Sequence, residues 1–162
     1  MNRYVLGFLF STDLKFVALI HKKRPAWQAG KLNGIGGKIE RNEVPSEAMR
    51  REFREEAGLE VGDWQHFATL RGRDWSVFVF CATSPHLNEI KSVTDEQVTV
   101  GGADEFVPFY THNVHWLIPM ARAKLLLHID LTWEVWEENP FGPTPDAAVQ
   151  QPATINQQEN SI

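Results

Sequence analysis

The order of apolar and polar positions predicts a chain that opens with a pair of strands. Residues 4–10 and 15–21 are rich in β-branched and aromatic side chains, and the polar segment 11–13 between them has the composition of a turn. These two strands are expected to form an antiparallel hairpin. The other strands that the pattern predicts are 64–70, 75–82 and a short alternating one within 92–100.

Two segments have the composition of helices. The first, 44–57, has Pro45 in its first turn, where a missing N–H is tolerated, and Gly58 where a left-handed residue commonly ends a helix. The second helix is predicted at 116–128. We expect one stripe of this second helix to pack in the core, formed by Trp116, Met120, Ala123 and Leu127.

The composition is that of one globular domain, with 43% hydrophobic and 23% charged residues among 162. We expect the domain to span 1–137, because 138–162 is rich in Pro, Gln and Asn and has little to bury. No apolar run approaches the roughly 20 residues of a membrane span, so no membrane partner is expected. The single cysteine, Cys81, lies in an apolar strand and predicts a buried thiol and a cytoplasmic protein.

The charge balance limits the partners of the chain. A formal net charge of −5 argues against a nucleic-acid polymer, which is bound through broad positive surfaces. A small phosphate ligand that arrives with metal ions is compatible with an acidic protein.

The first helix carries three glutamates on one face. At about 100° per residue, Glu52, Glu55 and Glu56 fall within an arc of roughly 100°. One interpretation is the solvated face of an ordinary charged helix. The other is a site for a hard divalent cation, since close carboxylates repel one another and no lysine four residues away pairs with them. The glycine-rich segment 31–38, suited to close approach of its backbone to a ligand, favours the second interpretation.

Residues 37–59 resemble the signature of the Nudix hydrolase family, G-x5-E-x7-R-E-U-x-E-E-x-G-U, where U is apolar. All seven fixed positions are present: Gly37, Glu43, Arg51, Glu52, Glu55, Glu56 and Gly58. The resemblance covers roughly residues 3–133 and implies the Nudix fold, an αβα sandwich of the α+β class with a curved mixed sheet between helices. It also implies an enzyme that hydrolyses the pyrophosphate link of a nucleoside diphosphate derivative.

The same resemblance implies a site for magnesium, or for manganese in its place. The carbonyl of Gly37 and the carboxylates of Glu52 and Glu56 would be metal ligands. Glu55 would be a further ligand or the group that takes the proton of the attacking water. A further catalytic and metal-binding candidate is Glu96, which lies in an acidic loop next to Asp95, the second choice.

Other residues of the signature and its surroundings have supporting roles in this interpretation. Glu43 and Arg51 would orient the metal-binding carboxylates without contacting the metal themselves. Lys38, Lys23 and Arg24 are candidates to neutralise phosphate, and each is otherwise an ordinary surface charge.

Substrate choice depends on residues outside the signature. The segment 30–39 is similar to the residues that precede the signature in MutT-like triphosphatases of oxidised purine nucleotides. By this resemblance Asn33 occupies the position of the asparagine with which those enzymes read the base. The alternative for Asn33 is a turn residue before Gly34. The remaining candidates are Asn113 or His112 for reading a base, and Phe109, Tyr110 or Trp27 for stacking on it.

These likenesses favour a nucleoside triphosphate, oxidised and non-standard ones included, that is cleaved to a monophosphate and pyrophosphate. The alternatives are a hydrolase of ADP-ribose, of a nucleotide sugar or of a dinucleoside polyphosphate, and a non-catalytic nucleotide sensor that keeps the fold. A small nucleotide is therefore the expected partner, and the chain is expected to be a monomer or a homodimer.

Overall fold

Seven strands and two α-helices lie within residues 1–105, 107–129 and 132–136, which are the residues that the computed structural model describes. The tail predicted at 138–162 lies outside them. The elements are β1 (Asn2–Phe10), β2 (Phe16–His21), β3 (Leu32–Asn33), α1 (Pro45–Ala57), β4 (Gln65–Arg71), β5 (Trp75–Thr83), β6 (Gln97–Gly102), α2 (Val114–Leu127) and β7 (Trp133–Trp136). A single 3-10 turn, Leu87–Glu89, separates β5 from β6.

These strands form one mixed sheet in the order β3-β2-β1-β5-β4-β7, with β6 paired to β2. The predicted hairpin is confirmed, because β1 and β2 pair antiparallel, and β4 and β5 do the same. Strand β1 runs parallel to β5 along its whole length, from Asn2 opposite Trp75 to Phe10 opposite Thr83. A parallel strand at the centre of a sheet is covered on both faces, which accounts for the unbroken apolar run of β1.

The two helices cover opposite faces of this sheet, which confirms the expected αβα sandwich. Alternate residues of β1 divide between two cores: Val5 and Leu9 face α1, whereas Phe8 and Phe10 face the side of α2. On the α1 side the core includes Met49, Phe53 and Phe80, and on the α2 side it includes Phe67, Val79 and Leu117.

The bounds of α1 agree with the sequence prediction to within one residue. Val44 stands at the cap position without a side-chain hydrogen bond, and Pro45 begins the helix. Gly58 ends it in the left-handed conformation, with φ of 66°, and its N–H donates to the carbonyl of Arg54.

The predicted core stripe of α2 was wrong. The residues of α2 that are buried against the sheet are Val114, Leu117, Ile118, Ala121 and Lys124. Of the predicted stripe, Leu127 is 65% exposed, and Trp116 and Met120 lie half-buried at the margin of the core. Because α2 has apolar residues around most of its circumference, its sequence does not define a single face, and packing on the sheet decides.

Two short strands were not predicted. Leu32–Asn33 pairs with the end of β2, although its glycine-rich surroundings indicated a loop, and Trp133–Trp136 adds a strand parallel to β4. Within the residues that are described, no helix combines the length and the apolar character that crossing a membrane requires.

Candidate active site

Apolar residues on one side of α1 determine where its glutamates lie. Met49 and Phe53 are fully buried against the sheet. This anchoring leaves Glu52 and Glu56 half-buried at the margin of the helix, whereas Glu55 is exposed. The three carboxylates are therefore neighbours on one helix, as predicted, but lie in different surroundings.

Arg51 connects this acidic face to the loop before the helix. Its Nε and Nη2 donate to the two oxygens of Glu43 at 2.8 and 2.9 Å. Its Nη1 donates to Glu52 at 2.8 Å and to Glu55 at 3.1 Å, and Nη2 also reaches the carbonyl of Lys38 at 3.1 Å. The acidic face is thus less repulsive than its glutamates alone suggest, because an arginine on the same helix neutralises part of their charge.

The glycine segment is held between β1 and α1. The N–H of Val5 donates to the carbonyl of Gly37 at 2.9 Å, and the N–H of Gly36 donates to Oε2 of Glu56 at 3.3 Å. A Cβ at position 37 would lie 2.4 Å from Oε2 of Glu52, and one at position 36 would lie 2.2 Å from the carbonyl oxygen of Val5. At position 36 the clash would be with backbone, so only glycine fits there, whereas a Cβ at position 37 would displace the carboxylate of Glu52.

Burial dominates the electrostatics of the two half-buried glutamates. It raises the pKa of Glu56 to about 7; Lys22 acts in the opposite direction, and Glu52 adds repulsion. Burial also raises the pKa of Glu52, despite the hydrogen bond from Arg51. A carboxylate that is poorly solvated in its charged form gains most from a nearby cation, so the cluster favours the approach of positive charge.

Glu96 is brought to the same region by the pairing of β6 with β2. Its Oε2 lies 2.5 Å from Nζ of Lys22, and its Oε1 accepts hydrogen bonds from the N–H groups of Lys23 at 2.6 Å and Arg24 at 3.3 Å. Burial opposes the charge of Glu96, but these bonds outweigh it and lower its pKa. In the structure a lysine, which the sequence argument did not consider, is therefore the partner of Glu96.

A cavity of about 550 Å³ opens beside the glycine segment, over β1 and β5. Of the four predicted substrate-binding residues, Asn33, Lys38 and Asn113 line this cavity. Lys23 is outside the lining, and its Nζ lies 3.9 Å from Asp95.

The lining also contains residues that the sequence argument missed or gave a lesser place. Lys22, Gln28 and Trp75 were missed, although the first two lie beside candidates that were named. Arg24 and Trp27 were named and do line the cavity. The other aromatic candidates and His112 lie outside it: Tyr110 lines a second, smaller cavity, and Phe109 is 61% exposed.

The candidate metal-ligand atoms on the acidic helix face and the glycine segment suit a hard divalent cation. All are oxygens, the type of ligand that magnesium prefers, and the carbonyl of Gly37 keeps one lone pair besides the one that Val5 uses. Among the described residues, no three acidic, histidine or cysteine side chains already stand together as a complete metal site. Arg51 and Lys22 bind oxygens of Glu52, Glu55 and Glu96. The roles of these groups as metal ligands stay a prediction.

The fold and this site define an enzyme type that acts on phosphate groups: an acidic helix face meets a glycine turn beside a cavity edged with basic side chains. The family model described as NUDIX domain matches residues 2–122. The chain therefore belongs to the Nudix family, whose members hydrolyse pyrophosphate links of nucleoside diphosphate derivatives and generally use divalent metals. It is a Nudix pyrophosphohydrolase.

Solved structures agree on the fold. A Nudix family hydrolase from Clostridium perfringens is 25% identical, with a TM-score of 0.62, and the match covers 78% of this chain and 97% of that one. A MutT Nudix hydrolase from Burkholderia pseudomallei is 22% identical, with a TM-score of 0.62, covering 74% and 96%. The MutT protein from Bacillus halodurans is 20% identical, with a TM-score of 0.62, covering 87% and 93%. A search of the curated proteins found no match.

Proposed function

We propose that the chain is a magnesium-dependent hydrolase that converts a nucleoside triphosphate, oxidised and non-standard ones included, into the monophosphate and pyrophosphate. The observation that carries the proposal is the junction of Glu52 and Glu56 with the backbone of Gly36 and Gly37, at the edge of the cavity. Manganese is the expected substitute for magnesium, because it has the same preference for oxygen ligands.

The side chains around this junction have separate tasks in the proposal. Glu52, Glu56 and the carbonyl of Gly37 would hold the cation, with Glu55 and Glu96 as further carboxylates. When bound, the cation supplies positive charge to the phosphate oxygens and makes a water more acidic. A glutamate of the cluster would accept the proton of the attacking water. Arg51 keeps Glu52 and Glu55 oriented by its hydrogen bonds.

Basic side chains at the cavity support a substrate with several phosphates. Lys22, Arg24 and Lys38 line it, and each reduces the repulsion between phosphate and the acidic helix. That repulsion is large, since two like charges 4 Å apart cost about 4 kcal/mol at an effective dielectric constant near 20. Trp27 and Trp75 add aromatic surface for a base.

Glu56→Gln tests the proposal. The change removes the charge of Glu56 while keeping its shape, so the rate of pyrophosphate release with magnesium should fall at least about 10²-fold and the fold should remain intact. Glu47→Gln, on the exposed first turn of the same helix, is the matched control and should keep the wild-type rate.

A second measurement is independent of turnover. Magnesium chloride together with a nucleoside monophosphate should raise the melting temperature of the wild type and of Glu47→Gln, and should raise that of Glu56→Gln less. Near-normal turnover of Glu56→Gln, or equal stabilisation of all three proteins, would remove Glu56 from the metal site.

A substrate panel separates the triphosphate proposal from its rivals. Ordinary and modified triphosphates, ADP-ribose, a nucleotide sugar and a dinucleoside polyphosphate should be compared with magnesium and with a chelator. The proposal requires the fastest magnesium-dependent turnover from a triphosphate.

Cytoplasmic location and a monomeric or homodimeric state remain predictions. The predicted location rests on the single thiol, Cys81, which is fully buried.

A further inference from the structure

Two amide side chains in the cavity form a hydrogen-bonded pair. Oδ1 of Asn33 accepts a hydrogen bond from the backbone N–H of Gly34 at 2.8 Å. A backbone N–H can only donate, so the oxygen of the Asn33 amide must face Gly34 and its nitrogen must face away. That nitrogen, Nδ2, lies 3.3 Å from Oε1 of Gln28. Because Nδ2 is a donor, Gln28 must offer its oxygen to Asn33.

The consequence is that the free end of the pair is a donor. Oε1 of Gln28 is directed to Asn33, and among the described residues no acceptor contacts its Nε2. Both side chains line the cavity; Asn33 is 8% exposed and Gln28 is half-buried. A donor in such surroundings gains most from a ligand that brings an acceptor.

The backbone holds both residues in place. Asn33 belongs to β3 and pairs with Ile20 of β2. The N–H of Gln28 donates to the carbonyl of Pro25, and the carbonyl of Gln28 accepts from the N–H of Lys31, both at 2.9 Å. The pair is therefore arranged before a ligand arrives, which allows it to discriminate rather than adapt.

We propose that Gln28, oriented by Asn33, determines the base specificity, so that the preferred substrate is a 6-keto purine nucleotide rather than a 6-amino one. Guanine and hypoxanthine present two acceptors on one edge, N7 and O6, whereas adenine presents N7 beside the donor 6-amino group. The amino group of adenine would meet the donor of Gln28. The aromatic walls, Trp27 and Trp75, favour a purine over the smaller pyrimidines.

The first test compares bases in the wild type. The inference rests on the proposed function for its turnover assay: GTP and ITP should have similar kcat/KM, at least about tenfold above that of ATP, because a bound base removes water from the Gln28 donor and adenine leaves that donor unmatched. ITP separates the O6 edge from the 2-amino group. Equal rates for GTP, ITP and ATP, or a faster rate for UTP, would overturn the inference.

The second test replaces the outward hydrogen-bond donor of Gln28 with an acceptor. Gln28→Glu keeps an oxygen for Nδ2 of Asn33 and replaces the outward donor with an acceptor, so the GTP to ATP ratio of kcat/KM should fall at least about tenfold. The added charge weakens binding of every triphosphate, and the ratio cancels that effect. Gln65→Glu, at the exposed start of β4, is the matched control and should leave the ratio unchanged. Gln28→Met, which has no donor and only a weakly accepting sulfur, should also lower the ratio.

Binding of GMP, IMP and AMP, measured by calorimetry, makes the two proposals separable. If no triphosphate is hydrolysed but GMP and IMP bind at least about tenfold more tightly than AMP, the proposed function fails and the base specificity stands. If triphosphates are hydrolysed with no base preference, or Gln28→Glu folds normally and keeps the wild-type ratio, the role of Gln28 is refuted.

Discussion

At the scale of single residues, Arg51 is the residue on which the acidic face depends most. Its guanidinium donates hydrogen bonds to Glu43, Glu52, Glu55 and the carbonyl of Lys38. Only 19% of the Arg51 side chain is exposed. The flat, forked arrangement of its N–H groups makes these simultaneous contacts geometrically compatible. Its bonds lower the pKa of Glu43, so that carboxylate stays charged and keeps Arg51 in position.

Arg51→Lys should lower both stability and rate. An ammonium group cannot reproduce the two-point contact with Glu43 while reaching Glu52, so we expect a loss of about 2 kcal/mol in the free energy of unfolding. The rate with magnesium should fall about tenfold or more, since Glu52 loses its orientation. Arg50→Lys is the control, because Arg50 lies half-exposed and its ion pair with Glu60 is a contact worth about 0–1 kcal/mol. Equal effects of the two changes would contradict this role for Arg51.

At the scale of elements, α1 is defined by its two ends and by its apolar side. Its start and its end were both predicted from Pro45 and Gly58, because these residues act locally. Strand β3 could not be predicted in the same way. Two residues carry no periodicity, and Leu32–Asn33 is a strand only because β2 lies beside it.

The end of α1 gives a prediction with a control four residues further along the chain. In Gly58→Ala a Cβ is placed at φ of 66° and 3.2 Å from Cγ2 of Val93, so the free energy of unfolding should fall by about 1–2 kcal/mol. Gly62→Ala has neither a positive φ nor an atom within 4 Å and should be nearly neutral. Chemical denaturation of both variants measures the difference. A Gly58→Ala protein as stable as Gly62→Ala would show that this cap contributes nothing.

At the scale of the whole molecule, one sheet separates two cores. His66 of β4 is half-buried beside the rings of Phe78 and Phe80, at centroid distances of 5.8 and 5.3 Å. Burial lowers its pKa, and the charge of Lys124 acts in the same direction. The neutral ring is therefore part of the folded state.

This titration predicts a loss of stability in mild acid. The pKa of His66 is lower in the folded chain than the value near 6.5 expected after unfolding, so the unfolded chain binds more protons between the two values. The contribution of His66 should be complete above pH 6.5 and should disappear as the pH falls through the folded pKa. The free energy of unfolding of the wild type and of His66→Gln should be measured by chemical denaturation at each pH. The difference between the two values isolates this contribution. A difference that does not depend on pH between 8 and 5 would be contrary to the prediction.

The sequence by itself predicted the acidic face and the two ends of α1 and the antiparallel hairpins, because each depends on spacing within one element or across one turn. The face that α2 buries, the pairing of Lys22 with Glu96 and the orientation of Gln28 by Asn33 were decided only by the tertiary structure. Lys22 and Glu96 are 74 residues apart and meet because β2 pairs with β6. Local periodicity carries no information about such contacts; they follow from how the sheet brings distant segments together.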